Sequence, residues 1–239
     1  MMPILLILAA TASAPQGAWY QDTFTTKEGA LQVVLVGHGS LMFTWKGVTV
    51  HVDPWSRVGN YAQLPKADLI LITHGHRDHL DPEAISLIRT PATELVVCRS
   101  CEGKVEGAKV LANGQSLTAK GVGITAVPAY NLVHRRENGQ PYHEKGDGNA
   151  YVLTFADLKV LVAGDTENVP ELKELKGIHL AFLPMNLPYT MTPEMVADLA
   201  RALRPKVLVP YHFGTSDLQQ LVSLLADLPE VELRLPRKP

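Results

Sequence analysis

The sequence predicts an α/β fold, an αββα sandwich of two mixed β-sheets packed face to face with helices on the outside. Three observations lead there. Short β-branched runs come as hairpins in both halves of the chain, helical stretches with clear start signals fall between and after them, and no linker, repeat or low-complexity segment divides the chain. One domain over residues 15–239 is the economical reading.

Leu31 to Val36, Leu41 to Trp45 and Val48 to Val52 read as strands, the last two joined by Lys46-Gly47 at hairpin spacing. The apolar run from Asp68 to Ile72 is a buried strand, and Asp81-Pro82-Glu83 opens a helix. Leu95 to Val97 and Gly123 to Val127 are further strands. Ala150 to Phe155 and Leu158 to Ala163 repeat the hairpin pattern around Ala156-Asp157. Ile178 to Leu183 and Val207 to Pro210 bracket a helix with Thr192 as N-cap, Pro193 at its first position and Pro205 past its end. A last helix begins at Ser216, with Gln219 completing a capping box, and runs to about Asp227.

With 239 residues, 46% hydrophobic and 19% charged, the chain is long enough for a full core and ordinary in composition. A net charge of −2 without a run of like charges gives no footprint for nucleic acid or an anionic membrane. Met1 to Ala14 joins an apolar stretch too short to span a bilayer to small residues in an A-x-A arrangement. That reads as a signal peptide over residues 1–14 and a periplasmic or otherwise exported protein. No Lys or Arg precedes the stretch and Pro15 follows Ala14, so an unprocessed cytoplasmic chain is the alternative. Cys98 and Cys101, the two cysteines, form one C-x-x-C pair: a peripheral disulfide if exported, two free thiols if not.

Chemistry concentrates in Thr73-His74-Gly75-His76-Arg77-Asp78-His79, directly behind the apolar run. Imidazoles and a carboxylate at the mouth of a buried strand are poor for packing and good for binding zinc and similar ions. A solvated loop that happens to hold histidines is the competing reading. Ligand-type residues downstream count against it: Asp165 in Gly164-Asp165-Thr166 and His212 in Tyr211-His212-Phe213-Gly214 both follow apolar strands.

The order His-x-His-x-Asp-His resembles the ligand signature of the metallo-β-lactamase superfamily, and the motifs from about Leu31 to Arg234 come in that superfamily's order. The resemblance implies that His74 and His76 serve one metal, Asp78, His79 and His212 a second, and Asp165 bridges them. Asp53 would brace the histidine loop by accepting hydrogen bonds. A third histidine for the first metal is displaced, because asparagine stands in Pro128-Ala129-Tyr130-Asn131 where a ligand is expected. His143 is favoured in its place, with His134, or Asn131 together with water, as alternatives. His38, in a Gly-His-Gly turn, takes a pocket-side role or is a plain turn residue. His51 and His179, inside strands, are structural.

Several segments look more like the bacterial hydrolases allied to L-ascorbate-6-phosphate lactonase and N-acyl-phosphatidylethanolamine phospholipase D. The activity implied is metal-dependent hydrolysis of a small ester, lactone or phosphodiester by a metal-bound hydroxide, on one or two zinc ions, with manganese or iron as alternatives. Asp78, Asp165, His38 and Tyr130 are the candidate catalytic residues, with Tyr189 a further proton donor. Met185, Tyr189 and Met191 line the substrate or simply pack their loop. Competing classes are an iron-dependent oxygen or sulfur redox enzyme on the same ligands and a non-catalytic metal-binding protein. The expected partner is a small molecule, with no nucleic acid and no integral membrane span.

Overall fold

The computed structural model describes residues 17–237, so the expected signal peptide at residues 1–14 lies outside the described residues. The N-terminal sheet comprises β1 (Tyr20–Thr26), β2 (Gly29–Gly37), β3 (Ser40–Trp45), β4 (Val48–Val52), β5 (Leu69–Ile72), β6 (Glu94–Val97) and β7 (Lys109–Val110), hydrogen-bonded in that order. The C-terminal sheet comprises β8 (Ser116–Ala119), β9 (Val122–Ala129), β10 (Gly148–Phe155), β11 (Leu158–Val162), β12 (Leu180–Pro184), β13 (Val207–Tyr211) and β14 (Glu232–Leu233), also in sequence order. Each sheet begins with antiparallel hairpins and ends in parallel strands. The parallel strands β5, β11 and β13 all lead their chains off the sheets at one rim.

The inner faces meet in an apolar core in which Phe43 of β3 lies 5.7 Å from Phe155 of β10 and 6.3 Å from Phe182 of β12, ring centre to ring centre. Truncating a fully buried ring such as Phe155 to alanine would cost about 3–5 kcal/mol. Helix α1 (Pro82–Ile88) covers the outer face of the N-terminal sheet through Ala84, Ile85 and Ile88. Helices α2 (Pro170–Lys173), α3 (Pro193–Leu203) and α4 (Leu218–Leu224) cover the other outer face. The expected αββα layering is present. Among the described residues no helix is long and apolar enough to cross a membrane.

The capping chemistry follows the sequence at two helices and corrects it at a third. Asp81 accepts from the Glu83 amide, and Thr192 from the Met195 amide, at the starts of α1 and α3. At α4 the N-cap is Asp217, whose carboxylate accepts from the Gln219 amide at 2.8 Å, and not Ser216. A carboxylate caps at least as well as a hydroxyl, which moves the start by one residue. Cys98 and Cys101 are fully buried, not peripheral, and are free thiols with sulfurs 3.3 Å apart.

Candidate metal centre

Asp53, fully buried after β4, organises the histidine loop that follows β5. One carboxylate oxygen accepts from the Thr73 amide (2.7 Å), and the other from the Thr73 hydroxyl (2.5 Å) and from His79 Nδ1 (2.8 Å). Having given its proton to Asp53, the Thr73 oxygen accepts from His74 Nδ1 at 3.0 Å. Both imidazoles therefore turn Nδ1–H to the brace and leave Nε2 facing inward, the nitrogen a metal would take. Gly39 is needed beside them, because a Cβ there would stand 2.8 Å from the His79 ring.

From the C-terminal sheet come three more donors. Asp165 follows Gly164, whose left-handed φ of +64° and 3.0 Å approach to the Asn149 carbonyl by any Cβ favour glycine. His143 lies just before β10, and His212 just after β13. His38, Asp53 and His212 all adopt left-handed φ values of 45° to 51° at strand ends. Such backbone costs about 1–2 kcal/mol per residue for a side chain with a Cβ, and its recurrence at one rim is the kind of strain that clusters at functional sites.

Two donor sets result, sharing Asp165. In the first, His76 Nδ1 lies 3.0 Å from His74 Nε2 and 3.3 Å from His143 Nε2, while Asp165 Oδ2 lies 3.9 Å from His74 Nε2 and 3.4 Å from His143 Nε2. In the second, Asp165 Oδ1 lies 3.4 Å from His79 Nε2 and 3.5 Å from His212 Nε2, and Asp78 Oδ2 completes the set at 3.8 and 3.7 Å from the same nitrogens. Tetrahedral ligands about 2.05 Å from an ion stand roughly 3.3 Å apart. The spacing fits an ion in each set.

The buried polar atoms give an independent test of fit. His79 Nε2, His212 Nε2 and Asp165 Oδ1 have no hydrogen-bond partner, although each is shielded from solvent. An unmet buried polar group costs about 1–3 kcal/mol, and three converging on one point are a poor arrangement for anything but a cation. The charge balance agrees. Burial opposes ionisation of Asp165, yet His212 and His79 hold its carboxyl well below the usual range. Burial drives His74 well below the usual imidazole range and lowers His76. The mixed nitrogen and oxygen donors suit zinc, manganese or iron.

His38 also reaches the second set, with Nε2 3.0 Å from Asp78 Oδ2 and its ring centre 3.6 Å from that of His212. Of the three alternatives for the first set, the structure brings in His143. Asn131 turns its side-chain oxygen to His143 Nδ1 at 2.8 Å, and His134 points to Glu167. Tyr130 is a correction: its hydroxyl donates to Glu171 of α2 at 3.0 Å, away from both donor sets. Met185 and Met191 are fully buried core residues and cannot wall a substrate, whereas Tyr189 is exposed, with its ring 5.0 Å from Tyr142. His51 is buried in β4 against the Pro65 carbonyl, and His179 Nδ1 accepts from the Lys159 amide. A cavity of about 330 Å3 opens beside the first set, bordered by Lys104, Arg136, Tyr142 and Asp147. Thr73 and Glu167 escaped the sequence reading. The position of Thr73 between strand and motif is a usable signal, whereas nothing local marks Glu167.

The profile of the beta-lactamase superfamily domain matches residues 32–212, which include all seven metal-ligand candidates. A metal-dependent hydrolase of Koribacter versatilis is 34% identical over 77% of this chain and 85% of its own length. One from Methanopyrus kandleri is 32% identical over the same shares. A crystal structure of a Parabacteroides distasonis protein, classed as a metal-dependent hydrolase, superimposes with a TM-score of 0.87 at 43% identity, covering 92% of this chain and all of that one. With its two-sheet fold, its shared aspartate between two donor sets and these matches, the chain belongs to the metallo-β-lactamase superfamily.

Proposed function

We propose that the protein is a metal-dependent hydrolase acting on a small ester, lactone or phosphodiester, with a cation in each donor set and zinc as the favoured ion. The carrying observation is Asp165, whose Oδ2 faces the Nε2 atoms of His74 and His143 while its Oδ1, itself without a partner, faces the unpartnered Nε2 atoms of His79 and His212. When bound, such a pair of cations lowers the pKa of a water held between them toward neutrality and polarises a carbonyl or phosphoryl oxygen.

The chain supplies the rest. Asp165 fixes the spacing of the two sets and offers a carboxylate to the proton of the attacking water. His38, donating to Asp78, positions that ligand at the rim of the second set. The cavity beside His76 and His143 admits the substrate from solvent, while the buried sides of the site exclude water. A zinc titration combined with chromogenic phosphodiesters, lactones and β-lactams tests the reading. Hydrolysis of at least one class, abolished by a chelator and restored by zinc, is expected. Oxygen consumption by iron-loaded protein with no hydrolysis would replace it.

Residues 1–14 motivate a second proposal, that the mature chain starts near Ser13 or Pro15 outside the cytoplasm. Mass spectrometry of protein from the native host should show that start. An intact Met1 in the soluble cytoplasmic fraction would reject it.

A further inference from the structure

A buried carboxylate is tolerated only where its oxygens are met by donors. Glu167, two residues past Asp165 and fully buried, accepts five hydrogen bonds. Oε1 receives Asn131 Nδ2 (3.0 Å), the His134 amide (2.7 Å) and His134 Nδ1 (2.7 Å), and Oε2 receives the Leu132 and Val133 amides (both 2.7 Å). All five are N–H groups, so both carboxylate oxygens act as acceptors.

An ionised carboxylate only accepts, so the Asn131 amide can meet it in one orientation. Its NH2 faces Glu167 and the Tyr189 carbonyl (2.9 Å), which leaves Oδ1 facing His143. That oxygen accepts from both the His143 amide and His143 Nδ1, each at 2.8 Å. His143 must then carry its proton on Nδ1. Its Nε2 lone pair faces inward, 3.3 Å from His76 Nδ1 and 3.4 Å from Asp165 Oδ2.

We propose that Glu167, acting through Asn131, is a positioning residue that sets the tautomer and aim of His143 and so controls the affinity of the first donor set for its cation. This rests on the reading of His143 as a metal ligand. It explains the asparagine as well: the amide transmits orientation and binds no metal. Residues 131 to 134 close around Glu167 as a clasp, and His143 inherits the geometry of that clasp.

Zinc and cobalt titrations of Asn131→Ala, Glu167→Gln and the double variant test the relay, with cobalt absorption bands reporting imidazole ligation and metal-free thermal unfolding reporting the fold. Each single variant should weaken one of two cation sites by about 10- to 100-fold, shift the cobalt spectrum, and leave the site of Asp78, His79 and His212 unchanged. In the Asn131→Ala background Glu167→Gln should add nothing at the first set, because the path to His143 is already cut. Additive losses, equal weakening of both sites, or an Asn131→Ala protein with wild-type affinity would each overturn the proposal. So would a wild type holding one cation only, on the second set. If Glu167→Gln fails to fold, Asn131→Ala alone decides, since Glu167 keeps four of its donors. A fully metal-loaded wild type that hydrolyses nothing would end the hydrolase reading and leave these affinities standing.

Discussion

The N-terminal sheet supplies four metal-ligand candidates from one loop, His74 to His79, and braces two of them with a single carboxylate, Asp53. The C-terminal sheet supplies three from three separate loops, His143, Asp165 and His212, and braces His143 through an amide and a second buried carboxylate. Crowding lets one buried acceptor fix two rings, whereas the brace behind His143 reaches no other ligand candidate. The consequence is an unequal tolerance of damage: one change behind the histidine loop disturbs both donor sets, while one behind a dispersed ligand disturbs a single set.

Removing the residue the two halves share breaks the comparison most severely. Asp165→Ala should lose orders of magnitude in turnover and weaken both cations while circular dichroism stays normal; near wild-type hydrolysis would show that the two sets do not depend on a common carboxylate. His143→Ala comes next, lowering zinc from about two equivalents to about one and cutting activity, while His134→Ala leaves both nearly unchanged. Full metal content in His143→Ala, measured by elemental analysis, would remove the dispersed half from the first set. Asp53→Asn should cost about 10- to 100-fold in affinity, and at both sites, because it loosens His79 directly and His74 through Thr73. Calorimetric titration showing one site untouched would contradict the shared brace.

Taken per pH unit, proton release gives the smallest effect. Although burial disfavours its charge, Asp165 and Asp53 push His79 up to about 9 in the metal-free site. The raised value means the ring keeps its proton through the neutral range, so a cation taking Nε2 displaces it. Apparent affinity should rise about tenfold per pH unit below that value and level off above it. Titrations in buffers of different ionisation enthalpy that give identical heats would refute proton displacement.

The same contrast governs what could be read without coordinates. The crowded loop is visible because its ligands are local in sequence, and Asp165 and His212 because each ends an apolar strand. Spacing favours His143, with two rivals that only packing separates. Glu167 could not be found: its burial exists only once residues 131 to 134 fold over it, and a Glu three residues before Pro170 looks like an ordinary helix start. The sequence cannot place the Tyr130 hydroxyl, because a loop position says nothing about where it points. Met185 and Met191 are ambiguous in sequence because apolar loop residues do not announce that they will be buried. Both sheets were legible as hairpins and buried runs, but β1 was not, since Tyr-Gln-Asp-Thr-Phe-Thr-Thr is mostly polar, and two-residue edge strands such as β7 and β14 have no pattern to show.

In both sheets every strand pairs with its immediate neighbours in the chain. During vectorial synthesis the first sheet can therefore complete its ladder by Val110, before Asp165 or His212 has left the ribosome. The two donor sets draw on both sheets and come together only when one closes on the other. A chain stalled halfway would hold its four crowded ligand candidates together without the three that the second sheet brings.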